Sequence, residues 1–203
     1  AEFMAAVLNS SIRDSKEVVF MIEECKRMKI DVVVPNVNES EYKFTVNDKG
    51  QISFGMGAVK SVGEVVIQAI TDERNANGKF KDFADFLIRM NGKGVNRKSI
   101  EALAGAGVFD SFDGMHRAMF YHIAEGDKAT FVEKSIKSVS AYLDRKNNAQ
   151  FDLFADSEGG EEETFTIPLP ECERWSKLKE LEMERELVGF YMSSHPLDMF
   201  RDT

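Results

Sequence analysis

The chain is predicted to be mainly α-helical, with one small β-hairpin set among short helices, on three observations. Apolar residues recur at the three- and four-residue spacing of a helix face over most of its length. A large-apolar/polar alternation of period two occurs around a single turn. From Gly55 onward glycines punctuate the helical pattern, so the helices are short and joined by tight hairpins.

The first helix is expected at the extreme N-terminus, because Ala1-Glu2-Phe3-Met4-Ala5-Ala6-Val7-Leu8 reads as a chain entering in mid-helix, as an excised fragment would. Asp14, three residues before Glu17, has capping-box spacing. Val18, Val19, Ile22, Cys25 and Met28 follow at helical period and are expected to form one buried stripe. Val32-Val33-Val34 is β-branched and is stopped by Pro35. Tyr42 to Val46 and Gln51 to Phe54 flank the turn Asn47-Asp48-Lys49-Gly50, which makes a hairpin too small to stand without helices against it. Helices are then expected over Val65–Ile70, Phe83–Met90 (begun near Asp82) and Asn96–Ala104, the last ending at Gly105-Ala106-Gly107. A longer helical stretch runs from Met115 towards Leu143, with an interruption near Gly126. Residues 147–173 lack apolar period, contain Gly159-Gly160, Pro168, Pro170 and a glutamate run, and read as a linker. A final amphipathic helix, about Arg174 to Met192, carries Trp175, Leu178, Leu181 and Leu187 and ends before His195-Pro196. The resulting division is 1–54 (helix plus hairpin), 55–143 (glycine-punctuated helices), 144–173 (acidic linker) and 174–203 (terminal helix).

Composition narrows the function. With 43% hydrophobic residues and 16 Phe, the 203 residues can bury a real core in one or two domains. No run of eighteen apolar residues is present, and the N-terminus has no basic region or cleavage site. Cys25 and Cys172 are far apart, and His116, His122 and His195 lack partners at metal-site spacing. A cytoplasmic, metal-free protein is therefore expected. The net charge of −9 argues against indiscriminate nucleic-acid binding. It is concentrated, however. Asp156 to Glu186 holds eleven acidic and four basic residues, a net of −7, leaving the remainder near neutral with local basic clusters.

The glycine-rich turns are the first candidate site. Lys60-Ser61-Val62-Gly63-Glu64 feeds the helix at Val65. Gly63 permits close approach of a phosphate, free N–H groups at a helix start point outward, and Lys60 adds a charge-assisted contact. This resembles the helix-hairpin-helix element, which grips the DNA backbone without reading bases. Ser61 stands where that element has its first glycine, and Glu64 is unfavourable beside a phosphate. A second copy is read at Asn96 to Gly107, with both Gly105 and Gly107 retained and Lys93, Arg97 and Lys98 upstream; Asp110 and Asp113 oppose phosphate there. Glycines that merely cap helices are the competing reading.

The second candidate is Gln150-Phe151-Asp152-Leu153-Phe154, an apolar pair between polar and acidic flanks. It has no core of its own to enter and is available to a pocket on a partner. The spelling resembles the peptide by which bacterial polymerases and repair proteins hold the ring-shaped sliding clamp. A peptide folded back on its own domain is the alternative.

Read in order, Glu24-Cys25-Lys26-Arg27-Met28, Pro35-Asn36-Val37-Asn38-Glu39-Ser40, Phe54-Gly55-Met56-Gly57-Ala58-Val59-Lys60-Ser61-Val62-Gly63, Asn96-Arg97, Gly105-Ala106-Gly107-Val108-Phe109-Asp110, the clamp-like peptide, Leu187-Val188-Gly189-Phe190-Tyr191 and His195-Pro196-Leu197 resemble the α subunits of bacterial replicative DNA polymerase III over nearly the whole chain. The resemblance implies the end of a fingers domain over 1–54, a tandem helix-hairpin-helix bundle over 55–143, the internal clamp-binding peptide at 150–154, and a terminal helix leading to an oligonucleotide-binding fold not present here. It implies duplex DNA held at the backbone by Lys60, Ser61, Gly63, Lys93, Arg97, Lys98, Gly105 and Gly107. It also implies a sliding clamp held by Gln150, Asp152, Leu153 and Phe154, and other replicase subunits met through the full-length protein. Catalytic carboxylates and Mg²⁺ belong to a palm domain upstream in such polymerases; no position here matches that motif, so no catalytic residue, metal site or cofactor is assigned. Glu161-Glu162-Glu163 is expected to keep the linker extended and off DNA. Two other readings remain: a clamp-recruited repair or accessory protein, and a structural connector whose hairpins touch no DNA.

Overall fold

The computed structural model describes residues 1–151 and 165–194. Helices α1 (Glu2–Ser10) and α2 (Ser15–Arg27) pack on each other. Asp14 caps α2 by accepting from the Lys16 and Glu17 N–H groups. Glu17 does not complete the box; its carboxylate accepts from the Ser11 hydroxyl instead. Val18, Ile22 and Cys25 are buried as the helical period requires, but Met28 is 55% exposed. It stands at the C-cap, and Lys29 follows at φ +59°, so the chain has already left the helix line that would bury it.

Three two-residue strands follow, β1 (Val32–Val33), β2 (Thr45–Val46) and β3 (Ile52–Ser53), with β3 in the middle. β2 and β3 form the expected antiparallel hairpin with Val46 opposite Ile52, and β1 adds a parallel edge with Val32 opposite Ile52. Asn47 holds the turn by accepting from the Lys49 and Gln51 N–H groups. So small a sheet needs an external clip. Asn9 on α1 supplies it, donating to the Phe44 carbonyl and accepting from the Phe44 N–H, both at 2.8 Å.

A single 3-10 turn (Met56–Ala58) leads into α3 (Glu64–Asn77), α4 (Phe83–Met90), α5 (Arg97–Gly105), α6 (Arg117–Tyr121) and α7 (Phe131–Phe151). Asp82 caps α4, and Asn96 with Ser99 forms a reciprocal capping box on α5. The interruption expected near Gly126 separates α6 from α7, with Gly126 at φ +82°. α7 packs across α4, α5 and α6. Their shared interior is aromatic: Phe83 meets Phe86, Phe109, Phe120 and Phe131 with ring centroids 5.1–6.2 Å apart.

The region read as a linker differs at both ends. α7 carries helix through 144–151, and residues 165–173 lie without regular structure against it. Phe165 stacks on Tyr142 at 4.6 Å between centroids, and Phe165 and Ile167 pack on the core. Two isolated anchors suffice to hold a strap, and two anchors leave no period to read. The last helix, α8 (Lys177–Val188), is shorter than expected. Ser176 caps its start, and Gly189 ends it in the left-handed conformation at φ +101°, six residues before His195-Pro196, which lies outside the described residues. Leu181 and Val188 are buried, Leu178 is 46% exposed, and Trp175 precedes the helix with its ring on Tyr121.

Candidate nucleic-acid interface

The first hairpin projects from the bundle. Val59 is buried beneath it, whereas Lys60, Ser61, Gly63, Glu64 and Val65 are exposed. Ser61 makes the turn at φ +66°, in the region a glycine would enter without cost. Gly63 is the N-cap of α3, with no side chain capping the helix; a Cβ there would meet nothing within 4 Å. The Val66 and Ile67 N–H groups fold back to the Gly63 carbonyl, so the amides of Glu64 and Val65 face outward at the positive end of a 14-residue helix. Glu64, the residue expected to repel a phosphate, is drawn aside by Arg13 at 2.9 Å. Lys60 is turned the other way: its N–H donates to the Leu187 carbonyl at 2.8 Å and its ammonium to the Glu186 carbonyl at 3.2 Å.

The second hairpin faces inward. Gly105 and Gly107 are buried. A methyl group on Gly105 would collide with Leu187 and the Tyr121 hydroxyl, and one on Gly107 with the Arg117 guanidinium. These two glycines make room for α8 and Arg117, so the close approach that the sequence offered to a phosphate is taken by the chain itself. Asp110 is likewise explained. It accepts from Arg117 Nη2 at 2.7 Å, and Arg117 Nη1 reaches Glu184 on α8 at 2.9 Å. Burial pushes the Glu184 carboxyl up, but the Ser193 N–H, the Arg117 guanidinium and the Met192 N–H outweigh it and hold the group ionised.

Of the upstream cations, Lys93 is paired with Glu73. Glu73 also accepts from Arg89 and Asn77, and these donors, Lys93 foremost, hold its carboxyl down at about 2. Arg97 bridges Glu101 at 2.7 Å and Glu133 at 3.0 Å. Lys98 is exposed and has no ion pair among the described residues. Among the described residues of that set, Lys98 is thus the cation without an ion pair, and the open amides are those of the 61–65 turn.

Gln150 falls in the last turn of α7; Asp152, Leu153 and Phe154 lie outside the described residues. Among those described, no group of three or more His, Cys, Asp or Glu side chains is arranged to hold a metal ion, and no helix is long and apolar enough to cross a membrane. Sequence reasoning missed Arg117, Glu184 and Glu73. Charged residues on helices read as solvated faces until the neighbouring element is in place, and no spacing rule marks these three.

Residues 29–119 match the family described as the helix-hairpin-helix motif. That span starts ahead of β1 and ends in α6, so it takes in the small sheet together with both hairpins. The chain is 37% identical over 203 residues to the DNA polymerase III subunit alpha of Vibrio cholerae, covering 98% of the chain and 16% of that protein. It is 34% identical to the proteins of the same name from Mycobacterium leprae and Escherichia coli, covering 97% and 98% of the chain and again 16% of each relative.

Proposed function

The chain belongs to the family of DNA polymerase III α subunits, as a segment spanning 16% of the relatives' length, and we propose that this segment positions duplex DNA and tethers the polymerase to its sliding clamp without itself performing chemistry. The observation that carries the first half is the exposed turn at 61–65, where a serine accepts a left-handed backbone to aim uncapped helix amides outward. A phosphate oxygen is the acceptor such amides suit, and it is common to every sequence. Lys98 adds a cation with no ion pair among the described residues; Arg97 and Lys93 stay within reach of solvent but are held by carboxylates. Few phosphates can be met in this way, so grip on the primer-template duplex is weak and depends shallowly on salt.

The tether is the peptide Gln150 to Phe154. α7 runs to Phe151 and so delivers its first residues at the end of a 21-residue helix. Leu153 and Phe154 fill an apolar pocket on the clamp, Gln150 anchors by hydrogen bonds, and Asp152 shapes the turn or meets a polar rim. A weak contact of this kind raises the local concentration of polymerase at the primer end, so release from the template seldom becomes escape. The parent protein is a DNA-directed DNA polymerase of the cytoplasm. Its Mg²⁺ and catalytic carboxylates lie in a palm domain outside this chain, and its other replicase partners are met through the full-length protein.

The test is a titration of the chain, and of Leu153→Ala/Phe154→Ala, against the clamp of the same source. Micromolar binding that the double substitution abolishes supports the tether. Unchanged binding removes the assigned roles, and no binding by the unaltered chain favours the connector reading.

A further inference from the structure

Lys60 has the position of a phosphate ligand, but its N–H and one donor of its exposed ammonium are turned to the protein's own carbonyls. The last four carbonyls of a helix have no partner within it. In α8 these belong to Arg185, Glu186, Leu187 and Val188. The Gly189 N–H takes the Arg185 carbonyl at 3.0 Å. Lys60 takes the next two, the Glu186 carbonyl with its ammonium and the Leu187 carbonyl with its N–H. The first hairpin therefore supplies partners for two terminal carbonyls of a helix more than a hundred residues away, beside the Gly189 cap, and puts a cation at the negative end of that helix.

The same turn of α8 presses on the second hairpin. Leu187 occupies the space that Gly105 leaves open, Met183 lies beside it, and Glu184 receives Arg117. Beyond the cap, Gly189 rests against Ser15 and Val19 of α2, and Phe190 meets Phe54 at the end of β3, 5.9 Å between ring centroids. One helical turn of α8 thus touches both hairpins, and among the described residues Lys60 bonds to no other element.

We propose that Lys60 is a positioning residue rather than a phosphate ligand: by capping α8 it fixes the first hairpin to the second through Leu187 and Gly105, so the last helix sets the angle at which the hairpin pair meets a duplex. This rests on the duplex-positioning reading above. It makes that grip responsive to whatever pulls on α8 from the chain beyond it, because a displaced α8 releases Lys60 and leaves the 61–65 turn without its seat.

The experiment compares the chain with Lys60→Met, Lys60→Arg and Gly105→Ala, using a fluorescein-labelled 20-base-pair duplex titrated at several salt concentrations and amide exchange followed residue by residue. Lys60→Met keeps the N–H and removes the ammonium. The expected result is affinity reduced roughly three- to thirtyfold with the salt slope unchanged, recovery in Lys60→Arg, and faster exchange at the Lys60 amide and the end of α8. Gly105→Ala reproduces the loss by displacing Leu187, although it alters neither the first hairpin nor any cation. A salt slope reduced by about 0.9 in Lys60→Met identifies a direct phosphate contact and overturns the proposal. So does unchanged affinity in both Lys60→Met and Gly105→Ala. Failure of the unsubstituted chain to bind the duplex defeats the positioning reading instead, and is told apart because the exchange arm then still reports whether Lys60 holds α8. Unaltered exchange in Lys60→Met overturns the cap on its own.

Discussion

Arg117 Nη1 lies 2.9 Å from Glu184 Oε1, and both side chains are buried, at 6% and 0% exposure. The pair joins α6, which follows the second hairpin, to α8 across 67 residues of sequence. Each charge is also satisfied elsewhere, Arg117 by Asp110 and Glu184 by the Met192 and Ser193 N–H groups. A buried ion in such a network is tolerated only while every partner is present. Arg117→Met is expected to destabilise the chain by about 3–5 kcal/mol in urea unfolding, because it strands the Glu184 carboxylate. Arg117→Met combined with Glu184→Leu recovers part of that loss. Equal losses in the single and double variants contradict the pairing.

Ser61 occupies a backbone region that costs a non-glycine residue about 1–2 kcal/mol. Ser61→Gly removes that cost, less the roughly 0.5–1 kcal/mol by which glycine loosens the unfolded chain. A small gain in stability is expected, with duplex affinity preserved. Ser61→Val, β-branched at the same φ, is expected to lower both. A gain with Val excludes the left-handed turn.

Much of this was legible in the sequence, and the divide is physical. Asp82, Asn96 and Asp14 were readable as helix starts because a cap is a local hydrogen bond between neighbours. The hairpin at Asn47–Gly50 was readable for the same reason. Gly105 and Gly107 were found as special positions, but what they make room for is set by Leu187 and Arg117, distant in sequence. Lys60 shows the same limit: its residue type fits a phosphate or a helix carbonyl end equally well, and only the placement of α8 decides. The strap at 165–173 escaped because two anchors have no period.

Glu73 gives a pH dependence of known sign. Its carboxyl falls from an ordinary 4.5 to about 2 in the folded protein, chiefly through Lys93 and then Arg89. A lowered folded value contributes stability that is present above the unfolded value and lost as pH falls through the folded one. The window is therefore about pH 4.5 down to about 2. Glu73→Gln is expected to lower the urea midpoint at neutral pH, with the gap to the unsubstituted chain closing across that window. Parallel pH profiles exclude the effect.

Asn38 clips the loop after β1 to the start of α4. Its amide donates to the Phe80 carbonyl at 2.9 Å and accepts from the Phe80 N–H at 2.7 Å. Asn38→Ala leaves two half-buried backbone groups unmet and is expected to cost about 1–3 kcal/mol. Asn38→Asp keeps the acceptor and loses the donor, so it falls between the two. If Asn38→Asp is as costly as alanine, the acceptor contributes nothing.

In the proposed function, the exposed turn at 61–65, with Lys98, holds the backbone of a duplex. The measurement that meets it most directly is the affinity of this chain for a 20-base-pair duplex across a series of salt concentrations, for the unsubstituted protein and for Lys98→Glu. The expected result is binding whose logarithm falls linearly with the logarithm of salt, with a slope of about −1 to −2, made shallower by about 0.9 or more in Lys98→Glu and independent of base sequence. Binding with no salt dependence, or no binding at the lowest salt, contradicts it.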